Sequence, residues 1–95
     1  MTLIDTHCHL DFAQFDPDRE AVVERAFAAG VAVLINPGAD LESSRRAVAL
    51  AARCDRVFAA VGVHPHAAAT VDEAALVELR RLAAHPRVVA IGEIG

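Results

Sequence analysis

The sequence predicts an α/β protein made of consecutive βα units around a parallel sheet, in the order β-α-β-α-β-α-β. Three observations lead there. Short apolar, β-branched runs recur along the chain, and amphipathic segments with recognisable caps separate them. Successive runs also begin roughly 26 to 31 residues apart, which is the length of one βα unit.

The apolar runs cover residues 3–4, 31–35, 57–61 and 88–91. They are continuous rather than alternating, as strands covered on both faces require. Before the second run, Asp16 stands where an N-cap belongs and Pro17 at a first helical position. Val22, Val23, Ala26 and Phe27 then form the stripe of the first helix, and Gly30 its C-terminal cap. A turn is expected at Asn36, Pro37 and Gly38, followed by a second helix from about Asp40 that buries Ala47, Val48 and Ala51. The third helix opens with the capping-box pattern TVDE at 70–73 and presents Leu76, Leu79 and Leu82. His85 and Pro86 end it, because proline disfavours helical geometry in the residue before it.

Such units build either a (βα)8 barrel or a doubly wound open sheet. No G-x-G-x-x-G follows the first strand, so nothing favours a dinucleotide-binding sheet. A barrel takes about 250 residues and twice the strands found in these 95.

Composition narrows the function. The chain is 55% hydrophobic with a net charge of -4, and all nine basic residues are arginine. It is a core-forming globular chain without a broad basic surface for gripping duplex nucleic acid. A nucleic-acid substrate remains open, because a bound metal can hold a phosphate that the surface does not attract. Cys8 and Cys54 make no disulfide framework and suggest a reducing compartment. No signal peptide precedes the first strand, and no apolar run approaches the ~18 residues that span a bilayer. Cytoplasmic residence without membrane contact is the expectation.

In parallel α/β folds, reactive residues collect at the C-terminal ends of the strands. His7 and His9 follow the first strand, His64 and His66 the third, and Glu93 the fourth. His7 and His9 are separated by two residues, the strand period, so both imidazoles project to one side and can tilt onto one ion. Asp5 and Asp11 share that parity, and Asp5 could accept a hydrogen bond from a ligating histidine and fix its tautomer. Cys8 has the opposite parity and is not counted as a ligand. Solvated loop histidines remain the plainer reading of H-x-H alone. Glu93, at the end of an apolar strand, is costly to bury unless paired or bound to a cation; it is either a bridging ligand or a salt-bridged rim carboxylate. His64 and His66, in the loop GVHPH, could donate to a phosphate or a metal-bound oxygen, or be ordinary loop residues. His85 lies at the opposite end of a strand and is assigned no function; Cys54 reads as core filler.

The motifs DTHCHLD at 5–11, VGVHPH at 61–66 and IGEIG at 91–95, in this order, resemble those of the TatD family of metal-dependent hydrolases, within the amidohydrolase-like barrels. The resemblance runs over all 95 residues. It implies the N-terminal half of a TIM (βα)8 barrel, so that residues 1–95 form a single incomplete domain. It further implies one or two divalent ions (Mg, Mn or Zn) and exonuclease-type hydrolysis of phosphodiester bonds in DNA. By position, His7 and His9 match the family's first metal pair, Glu93 its bridging carboxylate, and His64 and His66 its substrate-side motif. Two further ligand histidines and the aspartate expected as general base would lie beyond residue 95, so this chain alone is expected to be inactive. Hydrolysis of another ester or amide, such as an aminoacyl ester on tRNA, is the alternative within the same chemistry. A non-catalytic assembly module is the alternative outside it: a half-barrel leaves an apolar inner face and two sheet edges uncovered and should self-associate or need its missing half.

Overall fold

The computed structural model describes residues 1–94. Four strands, β1 (Leu3–Asp5), β2 (Val31–Pro37), β3 (Val57–Val61) and β4 (Val88–Ile91), form one parallel sheet in the order β1-β2-β3-β4. Helices α1 (Arg19–Ala28), α2 (Leu41–Arg53) and α3 (Glu73–Ala83) connect them. This is the βα alternation that the apolar runs predict, and the bounds of β3 and β4 coincide with theirs.

β2 runs two residues further than its apolar run. Asn36 and Pro37 pair with Ala59 and Ala60 of β3, so the expected turn begins only at Gly38. α1 starts at Arg19 rather than at Pro17. Residues 13–15 coil first into a 3-10 turn, and the Asp16 carboxylate is taken by the Arg19 guanidinium at 2.6 Å instead of capping a helix. Gly30 closes α1 as expected, at φ +109°, where a side chain would be strained.

α2 begins as predicted. The Asp40 carboxylate accepts the Ser43 N–H at 2.8 Å and the Ser43 hydroxyl accepts the Asp40 N–H at 3.0 Å, a reciprocal cap. α3 is capped by Asp72, which accepts from the Ala75 N–H at 2.8 Å; Thr70 instead closes a 3-10 segment over Pro65–Thr70 by donating to the Ala67 carbonyl. The apolar stripe of α3 is correspondingly displaced. Ala75, Leu79 and Leu82 face the core, and Leu76 is left exposed.

The core lies between the sheet and α2. Leu34, Val57, Ala59 and Val61 pack on Ala47, Val48, Leu50 and Ala51, with Val23 and Leu82 contributed by the flanking helices. Cys54 packs partly buried against this cluster, as expected of a filler. Coverage is uneven. β3 is buried, whereas Leu3 and Ile4 of β1 and Val89 and Ile91 of β4 stand exposed. Among the described residues no helix is long and apolar enough to cross a membrane.

Asp40 gives the fold a measurable pH dependence. The Ser43 amide that donates to it holds its carboxyl below the ordinary value of 3.8. A depressed carboxyl stabilises the fold above its unfolded value and loses that contribution as pH falls through the folded value. Asp40→Ala is therefore expected to cost about 1 kcal/mol at neutral pH. In unfolding curves recorded from about pH 6 down to about pH 2, the difference from wild type should shrink toward zero.

Candidate metal centre

The loop after β1 is shaped by its own polar residues. Asp5 Oδ1 accepts the His7 N–H at 3.1 Å, which turns the chain out of the strand. The carboxylate expected to steer a histidine ring thus braces the His7 main chain instead. Cys8 faces the sheet, its N–H and thiol both directed at the Ile35 carbonyl, at 3.2 and 3.4 Å. Burial foremost, then the carboxylates of Asp5 and Asp11, push the Cys8 thiol up to about 11. It is protonated at neutral pH. His9 accepts the Phe12 N–H at its carbonyl and stacks its ring on Phe12, centroids 4.7 Å apart.

Glu93 is placed by main chain alone. The Gly92 N–H donates to the Val61 carbonyl at 3.0 Å and the Glu93 N–H to the Gly38 carbonyl at 3.2 Å, so the ends of β2 and β3 hold the residue from two sides. Gly62 permits this approach: a Cβ there would stand 2.7 Å from the Gly92 carbonyl carbon.

These two constructions bring the donors together. His7 Nε2 and His9 Nε2 are 3.1 Å apart, and Glu93 Oε2 lies 3.6 Å from the first and 3.5 Å from the second. One donor atom from each residue falls within 4.8 Å of the others. A divalent ion with bonds of about 2.0 to 2.2 Å separates its own donors by roughly 3 to 3.5 Å. The observed spacings match, and two imidazoles with a carboxylate form a donor set suited to such ions. His9 Nδ1 is buried without a hydrogen-bond partner, which leaves Nε2 as its available atom. The residues fit a metal.

The two histidines of the GVHPH loop part company. The His66 N–H donates to His64 Nδ1 at 3.0 Å, which leaves the proton of neutral His64 on Nε2. That Nε2 faces Glu93 Oε1 at 3.8 Å, so His64 borders the cluster without a hydrogen bond to it. His66 is exposed on the 3-10 segment, its ring 4.6 Å from that of His64 and further out. His85 accepts the Arg87 N–H and remains at the far end of the sheet.

Parity fails at Asp11. The chain turns at Leu10, and the Asp11 carboxylate is buried against Asn36 and Arg46, at 2.8 and 3.3 Å, away from the imidazoles. Arg19 fastens the same loop, donating to the carbonyls of Leu10, Asp11 and Phe12. Sequence reasoning missed Asn36, Arg46 and Arg19. A polar amide inside an otherwise apolar strand run was the signal for the first.

Parallel βα units with imidazoles and a carboxylate gathered at the C-terminal ends of the strands define a barrel-type protein with its reactive groups on the rim. The profile of the family described as TatD related DNase matches residues 4–95. The chain belongs to that family. It is 47% identical over 95 residues to an uncharacterized metal-dependent hydrolase TatD of Mycobacterium tuberculosis, covering 98% of this chain and 36% of that protein. With the 3'-5' ssDNA/RNA exonuclease TatD of Cronobacter turicensis it shares 43% over 93 residues, covering 98% and 35%. The crystal structure of YjjV, a TatD homolog from Escherichia coli, superposes with a TM-score of 0.83 at 41% identity, over 98% of this chain and 37% of that one. The chain thus spans little more than a third of the length of these relatives, and its sheet is part of a TIM barrel.

The raised thiol can be checked directly. At pH 7, Cys8 in the native chain should react with iodoacetamide at least ~10-fold more slowly than in the unfolded chain, followed by peptide mass mapping. Equal rates would contradict the buried, protonated thiol.

Proposed function

We propose that His7, His9 and Glu93 hold one or two divalent ions, Mg, Mn or Zn, in a hydrolase that cleaves phosphodiester bonds of single-stranded nucleic acid from an end. One observation carries this reading: the two imidazoles of the loop after β1 converge on Glu93, beyond β4, at 3.6 and 3.5 Å. The names of the relatives, metal-dependent hydrolase and ssDNA/RNA exonuclease, agree with it.

A divalent ion supplies Lewis acidity and an activated water at neutral pH. The remaining work belongs to the chain. His7 and His9 present their Nε2 atoms, and Glu93 offers a carboxylate that is about one quarter exposed and can serve two positions through its two oxygens. His64, its Nε2 proton fixed by the His66 amide, donates to a non-bridging phosphate oxygen and orients it. His66, further out, meets the next phosphate of the strand. The net charge of -4 offers little long-range attraction for a polyanion, so contact is made at strand ends, where few phosphates must be neutralised. The two cysteines, both free, suit a cytoplasmic protein.

The 95-residue chain itself binds metal weakly and does not turn over. The protein of full family length that contains it should shorten 5'-labelled single-stranded DNA progressively with Mg2+, Mn2+ or Zn2+. His7→Ala or Glu93→Gln should lower that rate by more than about 100-fold. A full-length protein inactive with all three metals, or a Glu93→Gln variant of undiminished rate, would refute the assignment.

The exposed apolar residues of β1 and β4 favour a second property of the isolated chain, association. Sedimentation of the 95-residue chain is expected to show dimers or larger species. A single monomeric boundary with cooperative unfolding would count against it.

A further inference from the structure

The loop that carries His7 and His9 has left the sheet, so its position must come from residues outside the donor set. We propose that Asn36 is a positioning residue for the metal centre, latching the loop to the end of β2 through Asp11. The inference rests on the reading of His7, His9 and Glu93 as a metal site and adds a residue to it.

The latch has two points. Asn36 Oδ1 accepts the Asp11 N–H at 3.1 Å, and Asn36 Nδ2 donates to Asp11 Oδ1 at 2.8 Å. A carboxamide is the side chain that offers an acceptor and a donor from one short planar group. Turning the amide over would set Nδ2 against an N–H and Oδ1 against a carboxylate, so the orientation is fixed. Asn36 is fully buried and Asp11 nearly so, at 0% and 3% exposure, which keeps water from competing for these bonds. Arg46 donates to the second oxygen of Asp11 at 3.3 Å and partly neutralises its buried charge.

Consecutive residues of β2 therefore hold the loop on both sides of His9. Ile35 receives Cys8, one residue before it, and Asn36 receives Asp11, two residues after it. The His9 ring is then seated on Phe12, whose carbonyl is fastened by Arg19. Asn36 touches none of the donor atoms; it acts by holding the Asp11 main chain and carboxylate. Partners of this kind behind metal ligands commonly alter metal affinity by about 10- to 100-fold.

The test, on the protein of full family length that contains this chain, compares Zn2+ affinity, by competition with a chromophoric chelator, with the unfolding midpoint of the metal-free protein. The variants are Asn36→Leu, Asn36→Asp, His9→Ala and Asp72→Ala. Asn36→Leu removes both bonds, and Asn36→Asp keeps size and acceptor but sets carboxylate against carboxylate. Asp72→Ala removes the cap of α3, which has no contact with the loop among the described residues, and so lowers stability without touching the latch. Both Asn36 variants are expected to weaken Zn2+ binding by about 10- to 100-fold, while Asp72→Ala binds as wild type does. Should Asn36→Leu not fold, Asn36→Asp carries the comparison. Wild-type affinity in a folded Asn36 variant, or an equal loss in Asp72→Ala, would overturn the latch. His9→Ala separates the two layers of the argument. If it binds Zn2+ as tightly as wild type, the metal centre itself is wrong; if it loses binding while the Asn36 variants do not, the latch alone is wrong.

Discussion

The position of Glu93, and with it the whole cluster, depends on how closely the ends of β2, β3 and β4 approach one another. Ser44 of α2 sits at that junction with no exposure. Its hydroxyl accepts the Gly62 N–H and donates to the Gly62 carbonyl, both at 3.2 Å, tying the helix to the end of β3. Against its other side lies Gly38, where a Cβ would come within 2.2 Å of the same hydroxyl. A buried hydroxyl deprived of these partners costs about 1 to 3 kcal/mol. The junction is therefore both sterically exclusive and chemically specified. Gly38 and Gly62 are then left in position to receive Glu93 and to lie against Gly92.

Curvature does the rest. In a flat sheet β1 and β4 would stand roughly 14 Å apart, three strand spacings of about 4.8 Å. Donor atoms carried beyond their ends nevertheless lie 3.5 and 3.6 Å apart. The sheet is rolled, and the reach of two imidazoles and a glutamate spans what remains. Helices cover the convex side around β3, which explains why burial peaks there and falls away toward β1 and β4. Bending a sheet so that its first and last strands aim at a common point is the beginning of a barrel.

Much of this was legible in the sequence because it rests on periodicity and on end signals. Apolar runs marked every strand, Asp40 marked the start of α2, and the placement of His7, His9 and Glu93 after strands put them on one rim. The misreadings share a cause: a polar residue was credited with one role when another partner had claimed it. Asp16 looked like a cap and is bound by Arg19. Asn36 looked like a turn residue and is held in β2 by Asp11 from the preceding loop. Asp11 itself shared the parity of the histidines until a turn at Leu10 carried it into the core. His64 and His66 read alike, one proline apart, and only the 3-10 coil between them decides that one faces Glu93 and the other faces out.

The donors come from residue 7, residue 9 and residue 93, so the cluster joins the loop after β1 to the residues that follow β4. Contacts of such long sequence separation are the slowest to form, because chain entropy must be spent before they are gained. The cluster is accordingly complete only after all three βα crossovers are in place. A cation held there would act as a reversible cross-link across all four strands, favouring the rolled sheet over any form with β1 or β4 detached. Metal supply would then bear on how long the rolled sheet persists once it has formed, and not on the order in which its units arise.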